Sequence, residues 1–178
     1  MSVRLQAGLA LALVLAVAGC NRAQPNRPAT ASAPAPLHLD HAQAGLTRMK
    51  LWLGDAEVDA EVCLTIPQLA TGLMFREGIG TNDAMLFVFR GADQRGFYMK
   101  NVKFPIAAAY IDPEGAVQQI IQLKAMDTNS VPSLSSNIQF VLETAPDFFD
   151  RHGVKPGTLV TSPQGRLRNV VAPRALAW

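Results

Sequence analysis

The sequence predicts a mainly β domain: a compact antiparallel β-sandwich or barrel carrying one or two short helices. Three observations support that expectation. Val58, Ala60 and Val62 alternate with Glu57, Asp59 and Glu61, as in a strand with one wet face. Met85-Leu86-Phe87-Val88-Phe89 is an unbroken apolar run of strand length, the pattern of a strand buried on both faces. Turn formers at Gly54-Asp55, Asp112-Pro113-Glu114-Gly115 and Lys155-Pro156-Gly157 cut the chain into short segments. Short strands between frequent turns belong to sandwiches and barrels rather than to helical bundles.

Taken in order, residues 47–53 place Met49, Leu51 and Leu53 at period two, and the Gly54-Asp55 turn leads into a strand over residues 57–64. Thr65 followed by Pro67 predicts a short helix running through Leu69 towards Phe75. The apolar run comes next, followed by strands over residues 96–102 and 106–111. The turn at Asp112 returns the chain into a strand over residues 116–123. Ile138, Phe140 and Leu142 alternate in a further strand. Thr144 and Asp147 have capping-box spacing around Pro146 and predict a second short helix ending at Gly153. A last strand is expected over residues 158–161.

Residues 5–18 are almost wholly apolar, with Gln6 the clear exception and Arg4 just ahead of them. At about 14 residues the stretch is shorter than the roughly 20 that a spanning helix needs. A positive start, a short apolar centre and small residues at its end make a secretory signal. The rival readings are a membrane-spanning anchor and a core helix, and the Pro-rich polar sequence that follows gives a core helix nothing to pack on. The stretch closes on Val17-Ala18-Gly19-Cys20, which resembles the bacterial lipobox, with Val17 where Leu is usual. That resemblance implies removal of residues 1–19, a diacylglyceryl group on the Cys20 thiol and an acyl chain (palmitate) on its new amine. Two or more chains hold a protein stably on a bilayer. Asn21 stands where an Asp would imply retention at the inner membrane, so the expected location is the outer membrane, facing the periplasm. Cys20→Ala is expected to leave the chain unattached or unprocessed; membrane attachment at mature size in cell fractionation would overturn the lipoprotein reading.

Residues 20–45 are rich in Ala, Pro, Ser and Gln and read as a lipidated cysteine followed by a flexible tether. A single β domain is expected over residues 46–162, with a C-terminal extension over 163–178. The formal charge of +2 falls to +1 once Arg4 leaves with the signal, and no dense basic run lies between Leu46 and Val160. That balance excludes a nucleic-acid reader. With Cys20 lipidated, Cys63 has no partner for an internal disulfide and reads as a small buried hydrophobe rather than a nucleophile.

Several blocks then become recognisable in their order: Gly72-Leu73-Met74-Phe75-Arg76, Met85-Leu86-Phe87-Val88-Phe89, Tyr98-Met99-Lys100-Asn101, Ala109-Tyr110-Ile111-Asp112, Val141-Leu142-Glu143, and His152-Gly153-Val154-Lys155-Pro156-Gly157. Together they resemble domain-of-unknown-function family 192 over roughly residues 46–162. Tyr98, Ala84 and Val102 stand where that family usually has Trp, Gly and Thr. The resemblance implies a compact, mostly antiparallel β fold and frequent export, with no established activity.

Candidate chemistry is sparse. Strand alternation would put Tyr98, Lys100 and Val102 on one face and Phe97, Met99 and Asn101 on the other. Arg76, Lys100, Asn101 and Glu143 are the candidate ligand-binding residues, because a long cation and an amide suit a carboxylate, phosphate or sugar hydroxyl. The structural alternative pairs Arg76 with Glu143 and leaves Asn101 to a bend before Pro105. Ser133, Ser135 and Ser136 lack a nucleophile elbow, and His152 sits where it would cap a helix. Asp83, Asp93, Asp127 and Glu143 are the carboxylates that a glycan hydrolase could pair across a cleft. His38 and His41 lack a second pair for a metal, and Met74, Met85 and Met99 lie in apolar blocks. The reading is therefore a lipid-anchored periplasmic binding or interaction module rather than an enzyme, with no cofactor and no metal. Its partners would be the membrane through its anchor, and an envelope glycan, a small anionic solute or an envelope protein. The alternative is a carboxylate-dependent hydrolase acting on envelope glycan.

Overall fold

The computed structural model describes residues 37–170; the signal, Cys20, most of the tether and the end of the C-terminal extension lie outside the described residues. The elements are β1 (Arg48–Leu53), β2 (Ala56–Cys63), α1 (Ile66–Thr71), β3 (Asp83–Asp93), β4 (Gly96–Phe97), β5 (Ile106–Ile111), β6 (Val117–Leu123), β7 (Val131–Pro132), β8 (Ile138–Thr144), α2 (Phe148–Arg151), β9 (Val160–Ser162), β10 (Gly165–Arg166) and α3 (Leu167–Val170). The fold is mainly β, as the alternation and turns predict. Eight strands form one sheet in the order β10-β9-β1-β2-β3-β8-β5-β6, and β4 and β7 form a second, small sheet. Every named pair is antiparallel except β2–β3, which runs parallel with α1 in its connection. The large sheet is therefore mixed.

The sheet curls without closing its ladder. Val117 N donates to Thr158 O at 2.9 Å, Val160 N donates to Gly115 O at 2.8 Å, and Ala116 bridges Leu159. These bonds bring the entry to β6 beside the entry to β9.

Register explains where the two cores sit. Ala60, Ala84, Thr144 and Ala107 form one row across the sheet, and Val62, Leu86, Leu142 and Ala109 the next on the same face. The apolar members of these rows, with Leu51, Leu53, Phe140, Phe148, Phe149 and Leu167, make the first core. On the opposite face the rows are Glu61–Met85–Glu143–Ala108 and Cys63–Phe87–Val141–Tyr110. Leu73, Met74, Met99 and Val102 pack over them in the second core. The run 85–89 is long and apolar because β3 has a core on each side.

Two expected elements differ. The strand expected over residues 96–102 stops at Phe97; Lys100 and Asn101 form a turn. Val102 N bonds to Met99 O at 3.1 Å, Met99 N reaches Asp127 O at 2.6 Å, and Asn101 takes a positive φ of 59°. The expected alternation ends there, with Val102 buried and Lys100 exposed. The second helix starts at Asp147 rather than Thr144, whose side chain is buried at the end of β8 and bonds to Ala145 O at 3.1 Å.

The stretch leading into β1 is not all free tether. Leu39 N bonds to Thr71 Oγ1 at 2.9 Å, and Gln43 is buried, its Nε2 bonding to Gly72 O at 2.8 Å and Gln68 O at 3.2 Å. The folded body therefore begins ahead of Gly45, and a chain cut there would lack these bonds.

Candidate functional site

The site is built where the α1 connection crosses the second core. Gln68 Oε1 accepts from Leu64 N at 2.9 Å and Thr65 N at 3.0 Å, satisfying donors at the helix start. Pro67 lies in the first turn, and Gly72 ends the helix at φ +49°. A Cβ at Gly72 would stand 3.0 Å from Phe87 Cζ, so glycine lets the backbone lie against that ring. Phe75 and Asn101, both at positive φ, are joined by Phe75 N to Asn101 O at 2.8 Å. This bond ties the loop after α1 to the turn after β4.

Across the sheet face, Phe97 stands edge-on to Phe87 at 4.9 Å and reaches Tyr110 at 6.1 Å and Phe89 at 6.5 Å. Tyr110 OH donates to Val131 O at 2.5 Å, fastening β7 to the large sheet, and burial raises its pKa to about 12. Between the α1 loop and the β4 edge lies a mostly apolar cleft of about 160 Å³, lined by Gly72, Met74, Phe87, Phe97, Tyr98 and Glu143 among others. Glu143 is 5% exposed, and its Oε2 is buried without a hydrogen-bond partner. Burial alone pushes its pKa from 4.5 up to about 8. At neutral pH the cleft therefore contains a protonated carboxyl, able to donate and to accept.

The four sequence-derived candidates do not converge. Arg76 pairs with Glu61 at 2.6 Å, not with Glu143, and its Nη2 also reaches Gln43 O at 3.0 Å. Lys100 is exposed and faces His38 Nε2 at 3.4 Å. Asn101 acts through its backbone. Only Glu143 lines the cleft. Cys63 is free and buried; burial first, then the Glu143 charge, raises its pKa to about 12, so it is an inert thiol rather than a nucleophile.

Of the carboxylates a hydrolase could pair, Asp83, Asp93 and Asp127 do not line this cleft. Asp83 is held by Arg48 at 2.6 Å, while Asp93 and Asp127 accept from the turn amides of Gln94 and Asn129. Ser133 Oγ donates to Ser135 O at 2.7 Å and accepts from Arg95 N at 3.0 Å, and His152 lies 4.6 Å from the Phe148 ring. His41 meets Asp40 at 2.7 Å, and His38 meets Leu39 O at 2.7 Å. Among the described residues no group of three or more His, Cys, Asp or Glu could hold a metal, and no helix is long and apolar enough to cross a membrane.

Sequence reasoning missed Phe97, Gln43 and Glu61. The one available signal for Phe97 was its place among four aromatic residues, Phe87, Phe89, Phe97 and Tyr98, within a dozen positions.

Comparison with known proteins places the fold. No curated protein matches the chain. A crystal structure from Sinorhizobium meliloti, described provisionally as a transcription regulator, is similar at 23% identity and TM-score 0.62, covering 68% of this chain and 98% of that one. A protein of unknown function from Novosphingobium aromaticivorans is similar at 26% identity and TM-score 0.62, covering 78% and 99%. The model of the DUF192 family ("Uncharacterized ACR") matches residues 49–162, which span β1 to β9 and include every wall of the cleft. The chain belongs to the DUF192 family.

Proposed function

We propose that this chain is a lipid-anchored binding module of the cell envelope, held at the outer membrane through Cys20 and facing the periplasm. Its ligand site is the cleft at Glu143, and the ligand is an acetamido sugar of an envelope glycan. The observation behind this is the buried, unpartnered Glu143 carboxyl in an otherwise apolar cleft. A neutral acid at such a position matches a neutral group that both donates and accepts, and a charged solute would lose its hydration there without gaining a counter-charge. A space of this size is close to the ~150 Å³ that accommodates a benzene ring. An acetamido group supplies a methyl for the apolar walls and an amide for Glu143. Tyr98, 40% exposed at the cleft, offers a ring face for the sugar. Among the described residues Glu143 is the one carboxylate lining the cleft, whereas glycoside hydrolysis uses two, which favours binding over turnover.

Thermal unfolding of the full chain with N-acetylglucosamine oligomers, against their deacetylated counterparts, tests this. A ligand at 100 times its Kd adds about 2.7 kcal/mol, a shift of several degrees. The acetylated oligomers are expected to give that shift at pH 6.5. Glu143→Gln keeps a donor and an acceptor and should keep the shift, whereas Glu143→Leu should abolish it. Equal shifts from both oligomers, no shift from either, or an unchanged shift in Glu143→Leu would sink the proposal.

A further inference from the structure

A second cleft lies beyond the wall formed by Leu69 and Phe89, which line both. It measures about 360 Å³ and is lined by Leu64, Ile66, Leu69 and Val88 along its length, with Arg90 and Arg95 also facing it. That volume falls within the range of small-molecule sites. Ile66 is 53% exposed, so the apolar surface is open to an incoming ligand.

Arg95 sets the polarity of this cleft. Its guanidinium carbon sits 4.0 Å over the Phe89 ring centroid. Its side-chain hydrogen bonds go to backbone carbonyls, Nε to Ile138 O at 3.3 Å and Nη2 to Gly91 O at 2.5 Å. Those occupy two of the five donors of a guanidinium. Among the described residues it forms no ion pair, and the one charge acting on it is that of Asp93. Arg95 is thus a partly desolvated cation, fixed by an aromatic ring and two carbonyls, beside a largely aliphatic wall.

We infer that this second cleft binds a single-chain anionic amphiphile, such as a medium-chain fatty carboxylate. The head group would take the remaining donors of Arg95, and the alkyl chain would lie along Leu64, Ile66 and Leu69. A planar guanidinium matches a carboxylate through two parallel bonds. The aliphatic walls suit a flexible chain better than a ring, which separates this ligand from the sugar proposed for the Glu143 cleft. The two sites stand independently.

Isothermal titration of the full chain with octanoate and with 1-octanol, both below aggregation, tests the inference. The two ligands share an alkyl body and differ in the charged head. Octanoate is expected to bind about tenfold tighter, the value of one charge-assisted contact. Arg95→Gln should weaken octanoate severalfold and leave octanol unchanged. Ile66→Asp, at a position 53% exposed, should weaken octanoate more than octanol and covers the case in which Arg95→Gln fails to fold. Glu143→Leu should leave octanoate binding intact, so that failure here and failure of the sugar reading are separable. Equal affinities for the two ligands, octanoate binding unmoved by both cleft variants, or association seen only with phosphatidylglycerol vesicles would each overturn the inference.

Discussion

Raising the pH from below 4.5 to above 8 is expected to remove roughly 5 kcal/mol from the unfolding free energy through Glu143 alone. The unfolded chain releases this proton near pH 4.5, whereas the fold holds it until about pH 8. Across that window unfolding releases a proton, so each step upward in pH favours the unfolded state. The slope is about 1.4 kcal/mol per pH unit. The stabilisation is complete below 4.5 and is lost as pH rises through 8. This is the opposite of a carboxylate held by a salt bridge, which is stabilising above its unfolded pKa. Domain stabilities are about 5–15 kcal/mol, so the effect is a large share of the total. Urea unfolding at several pH values between 5 and 8 measures it. Glu143→Gln removes the titrating group and is expected to flatten the profile. A variant with the wild-type slope would show that the loss comes from other groups.

Phe97→Ala is expected to cost about 3 kcal/mol, within the range for truncating a packed phenylalanine. The ring touches Phe87, Phe89 and Tyr110, the aromatic contacts that seat the small sheet on the large one. Two strands of two residues do not hold themselves together in water. With the ring gone, the bonds from Tyr110 OH to Val131 O and from Leu134 N to Gln119 Oε1 carry the attachment. Phe97 also lines the cleft with Glu143, so its loss admits water to the carboxyl. The variant should therefore be less stable at pH 5 and also show a shallower pH slope, because a hydrated carboxyl titrates nearer its ordinary value. A loss below about 1 kcal/mol, or an unchanged slope, would show that the rings neither seat the small sheet nor shield Glu143.

The strands were readable from the sequence because alternation and turn chemistry are local. Residues 57–64 and 106–111 coincide almost residue for residue with β2 and β5. Glu143 shows where local reading stops. In Phe140 and Leu142 the first core's side of β8 is plain, and strict alternation would leave Glu143 on a wet face. That side is instead covered by the α1 loop and β4, elements far from it in sequence. Arg76 is a similar case: a cation finds its partner across the sheet, and Glu61 rather than Glu143 is the residue in reach. The turn at Lys100 and Asn101 depends on Met99 bonding to Asp127, a contact no periodicity reports. Gln43 was hidden by its Pro- and Ala-rich surroundings, although its buried amide holds the turn at Gly72.

The pairing of β1 with β9 bears on the timing of folding. Trp52 lies opposite Thr161, and Leu53 opposite Val160. The strand that opens the sheet waits on one roughly a hundred residues later, and such long-range pairings belong to folds that form in milliseconds to seconds. Until Val160 emerges, the β1 edge has no neighbour on that side, and Leu53 lacks the partner that completes its core. The domain reaches its final state only when nearly the whole chain is available.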